Sequence, residues 1–177
     1  MAEKVRTCEE CGSALTTERN AVRRYEIGGL PHVELHGVEV THCSQCGKES
    51  IAIPRIGQLH RMLAERFVKQ PRMLAHTEIR FLRKHMGLAT ADFAQMMGVA
   101  RETVSRWETG AQPMGAVADR LLRLLVVSHE PPESYAVEDL LRELNDEPAP
   151  DRLASVPMWN SRDRGWTPQE RPALARA

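Results

Sequence analysis

The stretch Leu88–Gly110, LATADFAQMMGVARETVSRWETG, decides how this chain is read. It predicts two short amphipathic helices around a tight turn. Phe93, Ala94, Met97, Val104 and Trp107 recur at helical spacing and form one apolar face. Ala94 is small where two helices must cross closely. Gly98 ends the first helix, because glycine reaches the left-handed conformation common at helix C-termini without steric cost. Val99 then turns inward. Arg101, Glu102, Thr103, Ser105 and Arg106 fall on the other faces of the second helix. These hydrogen-bonding side chains are short or forked, and they suit base edges and phosphates. The plainer reading is a helical hairpin whose charged face is only solvated.

Working outward, composition sets limits. The 177 residues carry a formal net charge of zero and are 5% aromatic, which favours one or two small domains over one large core. The charge is uneven: residues 1–70 hold ten basic and nine acidic side chains, residues 71–128 eight and five, residues 129–177 six and ten. The helical stretch is therefore the one distinctly basic part, as a phosphate-facing surface requires. There is no run of 18 apolar residues and no signal-peptide start. The expectation is a soluble cytoplasmic protein with no membrane partner.

Four cysteines stand as Cys8-Glu-Glu-Cys11-Gly12 and Cys43-Ser-Gln-Cys46-Gly47, with 31 residues between Cys11 and Cys43. A two-residue gap lets both sulfurs of one C-x-x-C knuckle reach a single ion. Four thiolates at tetrahedral corners suit Zn2+. The glycine after each second cysteine lets the chain turn back and aim amides at the sulfurs. Two disulfides fit poorly without secretion, and a redox motif needs only one pair. The expectation is one structural zinc held by Cys8, Cys11, Cys43 and Cys46, closed to substrate and without catalytic chemistry. His32, His36 and His42 lie nearby but are not needed as ligands.

Between the knuckles, strands are expected at Ala21–Ile27 and Pro31–His36, joined by a turn at Gly28-Gly29, with Val38 and Val40 resuming beyond a bulge or tight turn at Gly37. So small a sheet needs the metal to hold it. Pro54 opens a helix with an Ile56, Leu59, Leu63, Phe67 stripe that packs on this sheet. Gln70-Pro71 marks a boundary. A further helix, Thr77–His85, points Ile79 and Leu82 inward, with Met86 following. Ala111-Gln112-Pro113 breaks the chain, and Met114–Val127 presents Val117, Leu121, Leu124 and Leu125 either to the core or to a dimer seam. Tyr135–Leu144 reads as a short helix with Val137, Leu140, Leu141 and Leu144 on one side, docking on the helical domain or on a second subunit. Residues 146–177 read as largely disordered, with Trp159 and Trp166 as incidental contacts.

The fold class expected is mixed: a small α+β zinc-binding domain over 1–70, an all-α domain over 71–130, and a short helix with a flexible tail over 131–177. The pattern LxxxxFAxxxGVxxxTVSRWExG resembles the helix-turn-helix of the Xre/Cro-repressor family. Ala89 and Ala100 depart from it where that family carries Ser or Thr helix caps. Thr90 also departs, replacing a phosphate-touching Gln. A four-cysteine module followed by such a helix-turn-helix is similar to the MqsA family of YgiT-type zinc-finger antitoxins, over about residues 5–127. The resemblance implies a bacterial type II antitoxin. Its N-terminal module would neutralise a cognate toxin, often an RNase. Its second module would form a homodimer on double-stranded operator DNA and repress its own operon. The family's base-reading Arg falls on Arg106, and its Asn is replaced by Glu102, which implies a different operator. Arg101, Thr103, Ser105 and Thr90 complete the expected DNA-facing set. The alternative is a stand-alone zinc-stabilised transcriptional regulator. No Ser/His/Asp set, phosphate loop or open metal position argues for an enzyme.

Overall fold

A computed structural model describes residues 6–26, 28–131 and 136–168. The element order is β1 (Leu15–Tyr25), β2 (Leu30–Cys43), β3 (Glu49–Ala52), α1 (Ile56–Val68), α2 (His76–His85), α3 (Thr90–Met97), α4 (Arg101–Thr109), α5 (Ala116–His129), α6 (Val137–Glu143), β4 (Val156–Ser161) and β5 (Gly165–Thr167). Strands at the cysteine end followed by helices give the mixed class expected. Ile27 and Tyr135, expected as the ends of a strand and a helix, lie outside the described residues.

Two compact units divide the chain. One draws on Met1–Tyr25, Pro31–Leu59 and Ser155–Ala177, and the other on Glu26–Leu30 and His60–Ala154. The division falls inside α1, whereas the sequence placed it at Gln70-Pro71.

The first unit is a five-stranded sheet ordered β1-β2-β4-β5, with β3 also on β2. The two halves of β2 have different partners: Val33–His36 run parallel to Val156–Trp159, while Glu39–His42 pair antiparallel with Ala52–Glu49. The change comes at Gly37, where φ is +77°. Val33 and Leu35 are buried on one side of this point, and Val38 and Val40 on the other, so the inward parity shifts there as a bulge requires. A Cβ at Gly37 would lie 2.6 Å from the backbone oxygen of Asn160. The Asn160 side chain donates to Gly37 O at 3.2 Å.

Residues 156–168 correct the reading of a disordered tail. β4 is parallel to the sheet's longest strand, and β5 returns antiparallel beside it. Trp166 is only 1% exposed. Its Nε1 donates to Pro54 O at 2.6 Å and its backbone N–H to Gln58 Oε1 at 3.2 Å. Trp159 stacks on His36 with ring centroids 3.8 Å apart. Both tryptophans are thus structural contacts, not incidental ones. Arg55, just before α1, donates to Ser161 O and Arg162 O within the sheet unit. The stripe expected to pack on the sheet is divided, however: Ile56 is exposed, and Leu63 and Phe67 belong to the helical unit.

In the second unit, the C-terminal half of α1 joins α2–α6. Leu63, Phe67, Ile79, Leu82, Phe93, Val104 and Leu122 are buried. Phe67 meets Phe81 edge-on at 5.7 Å. The inward face of α5 is Asp119, Leu122, Arg123, Val126 and Val127, while Leu124 and Leu125 of the stripe read as core or dimer seam are half-buried. Val117 is 83% exposed and Leu121 is also on the surface. The reason is polar. Arg123, 0% exposed, donates to the carbonyls of Phe67, Val68, Gln70 and Arg72 and to Asp119 Oδ2 at 2.7 Å. Asp119 Oδ1 accepts from the Leu74 N–H at 2.7 Å. One guanidinium thus caps the end of α1 at Phe67 and Val68 and holds the carbonyls of Gln70 and Arg72 just beyond it. Glu78 works similarly at the start of α2: it accepts from Ala75 N–H and takes a two-pronged bond from Arg72.

Helix α6 docks within this unit, with Leu140 and Leu144 buried. The residues after it clip on by Asn145 N–H to Pro71 O, Met73 N–H to Glu147 O, and Arg120 to Asp146.

Candidate nucleic-acid interface and cysteine cluster

The turn between α3 and α4 is built as its residues dictate. Gly98 has φ +66°, its N–H reaches Gln95 O, and the Val99 N–H reaches Ala94 O. This left-handed termination frees α4 to leave at a new angle. Ala89 and Ala100 are the N-caps of α3 and α4, and neither makes a side-chain cap bond. The first-turn N–H groups at both helix starts thus lack a side-chain acceptor from the cap.

Helix α4 is locked from behind. Val104 and Trp107 are buried. Arg83 of α2 grips Glu108 with two bonds, 2.5 and 3.0 Å, and donates to Leu88 O at 2.6 Å. Both side chains are nearly buried, so the pair fixes the angle between α2 and α4. The Glu of the SRWE run is therefore a structural anchor, leaving the other side of α4 outward. Arg101, Glu102, Ser105 and Arg106 are exposed there, and Thr103 is half-buried. Thr90 opens α3, half-buried. Trp107 belongs to the core, as expected, and so is not placed to wedge between bases.

Sequence reasoning passed over Gln112. Its N–H donates to Arg106 O at 3.2 Å, and Arg106 Nη1 donates to Gln112 Oε1 at 3.4 Å. No sequence spacing announces this, because Gln112 lies in the break after the helix. Asp119 and Arg123 did leave a trace: an i, i+4 ion-pair spacing inside the most apolar helix.

The two cysteine knuckles fold alike. Gly12 N–H bonds Cys8 O and Gly47 N–H bonds Cys43 O, with both glycines near φ +72° to +73°. The Cys8 N–H meets Ser13 O and the Cys43 N–H meets Lys48 O. The four sulfurs lie within 4.8 Å of one another. Across the knuckles, Cys8 and Cys46 sulfurs are 3.6 Å apart, and Cys11 and Cys43 sulfurs 3.5 Å. A tetrahedral ion with metal–sulfur bonds of about 2.3 Å needs sulfurs roughly 3.8 Å apart, so the cluster fits one. All four are free cysteines, Cys8 and Cys43 buried, Cys11 and Cys46 exposed. The histidines near the knuckles are not part of it, and this is the one such cluster among the described residues.

The amides turned on the sulfurs come one residue past each glycine. Hydrogen bonds from the Ser13 hydroxyl and amide, then from the Cys43 thiol, lower Cys11 to about 6. Cys46 is pushed up to about 12: the Lys48 amide pulls it down, but the Cys43 and Cys8 sulfurs beside it outweigh that pull. Thiols this close cannot all ionise without a cation between them. Lys48 also reaches from one knuckle to Glu10 of the other at 2.7 Å, which holds Glu10 below its usual range.

Among the described residues no helix is long and apolar enough to cross a membrane. No curated protein and no solved structure matches the chain. Residues 79–131 match a family model described as helix-turn-helix, so the chain carries an Xre-type helix-turn-helix there, the DNA-binding module of a transcriptional regulator and typically a non-enzymatic one.

Proposed function

We propose that this protein is the antitoxin of a type II toxin–antitoxin pair and the repressor of its own operon. The division of α4 carries the DNA-reading half: Val104, Trp107 and Glu108 are held inward, while Arg101, Glu102, Ser105 and Arg106 face out. Set in a major groove, Arg106 bonds guanine N7 and O6 as a fork, and Glu102 accepts from cytosine N4. Arg101, Thr103, Ser105 and Thr90 hold phosphates and set register. Two copies related by a twofold axis read half-sites about one helical turn apart. Val117 and Leu121 on α5 supply an outward apolar strip for the pairing.

The cysteine cluster, on this reading, takes one zinc ion and does no chemistry, because all four positions are sulfur and none is left for water. Its role is to hold a protein-docking head for a toxin, by resemblance an RNase. The arrangement of knuckles followed by helix-turn-helix supports this. Elemental analysis of purified protein should give one zinc per chain.

The deciding experiment is co-expression with the adjacent open reading frame. That frame alone should arrest growth, and this chain should restore it. A harmless neighbour would leave the simpler reading, a regulator whose zinc module has no toxin to bind.

A further inference from the structure

The guanidinium of Arg106 has a side-chain partner just beyond the end of α4. Its Nη1 donates to Gln112 Oε1 at 3.4 Å, while the Gln112 N–H donates back to Arg106 O at 3.2 Å. The two residues are thus joined at backbone and side chain, across the end of the helix. The backbone bond fixes where the Gln112 side chain starts. Pro113 follows immediately and restricts the backbone of Gln112. The amide oxygen is therefore presented from a constrained position. It engages one of the five guanidinium donors and leaves the remainder for a ligand.

The chemistry of the partner matters. A carboxylate at this place would pair with Arg106 and compete with DNA for its charge. A neutral amide oxygen orients the fork but leaves the positive charge intact. Arginine has four freely turning side-chain bonds, and a two-pronged contact to guanine needs them set together.

We propose that Gln112 is a positioning residue for base recognition: it holds the Arg106 fork in the orientation that reads guanine. This rests on Arg106 being a base-reading residue, and the test separates the two ideas.

Full-length protein is used to select binders from a duplex pool with a randomised central segment. Gel shifts on single-base variants of the selected duplex then give the discrimination at each position. Arg106→Ala should flatten preference at one position. Gln112→Ala should cut discrimination at that same position by about three- to ten-fold, the loss expected of one modest hydrogen bond. It should leave affinity for an unrelated duplex and the thermal unfolding midpoint unchanged. In the Arg106→Ala background, Gln112→Ala should add nothing. Equal weakening on all duplexes, persisting in that background, would make Gln112 a phosphate contact and overturn the proposal. So would unchanged discrimination in Gln112→Ala. If Arg106→Ala itself keeps every preference, the base-reading assignment of Arg106 falls first, and the role of Gln112 falls with it.

Discussion

At the scale of single residues, Arg106 and His60 make separable predictions. Arg106 is exposed at the outer side of a helix whose inner side is locked. Replacing it by alanine should cost about 1–3 kcal/mol of specific DNA binding and relax one base position, while stability stays level. A gel shift with unchanged affinity and preference would remove it from the reading set. His60 is half-buried beside the edge of Phe81, ring centroids 5.4 Å apart. Burial first, and the nearby His85 second, hold its pKa below the ordinary histidine value of 6.5. The unfolded chain therefore takes up that proton before the folded one does. Stability from this site is complete above about pH 6.5 and declines as pH falls below it. His60→Gln should flatten part of that decline in urea titrations at stepped pH. The His85–Glu130 contact, at 3.2 Å, remains in both proteins. A variant whose acid decline is as steep as the parent's would show that His60 does not contribute.

Secondary-structure elements depend on two positions that periodicity ranks poorly. Arg123 ends α1 from across the helical unit, through four backbone carbonyls. Arg123→Ala removes the guanidinium from these carbonyls and from Asp119 Oδ2 in a buried place, while Phe67 O keeps the Gln70 N–H and Asp119 Oδ1 keeps the Leu74 N–H. The expected cost is about 3–5 kcal/mol, seen as a large drop in denaturation midpoint. A change within error would mean that water replaces the guanidinium. Gly37 is the other. Its φ of +77° and the 2.6 Å approach of Asn160 O leave no room for a side chain. Gly37→Ala should cost roughly 1–3 kcal/mol in strain and break the β2–β4 register locally. Amide exchange should quicken at Val33–His36 and change little at Glu39–His42, whose partner is β3. Uniform exchange along β2 would contradict the split register.

For the whole molecule, the chain leaves the sheet unit, builds the helical unit, and comes back to finish the sheet. Deleting residues 155–177 should expose the amides of Val33–His36 and the place that Trp166 fills, while the helix-turn-helix keeps its fold. Ellipticity and amide exchange would show this, and a sheet unmoved by the deletion would count against the role of β4. The sequence by itself determined the local chemistry. Each C-x-x-C-G knuckle was legible because its geometry is short-range, while the meeting of the two knuckles, with contacts spanning 32 and 38 positions, is made by the fold. The helix-turn-helix was legible because Gly98, Ala94 and the buried Phe93, Met97, Val104 and Trp107 carry their meaning in their spacing. Only the tertiary structure decided which face of α5 turns inward and where the last strands go. Asp119 and Arg123 count as outward residues until their partners are seen, and those partners lie about fifty positions away. Val156–Trp159 carry no strong strand pattern of their own. They become a strand because β2 offers an edge to pair with, and because the Pro54 carbonyl before α1 and the Gln58 side-chain oxygen in it accept from Trp166; contacts so distant along the chain leave no periodicity to read.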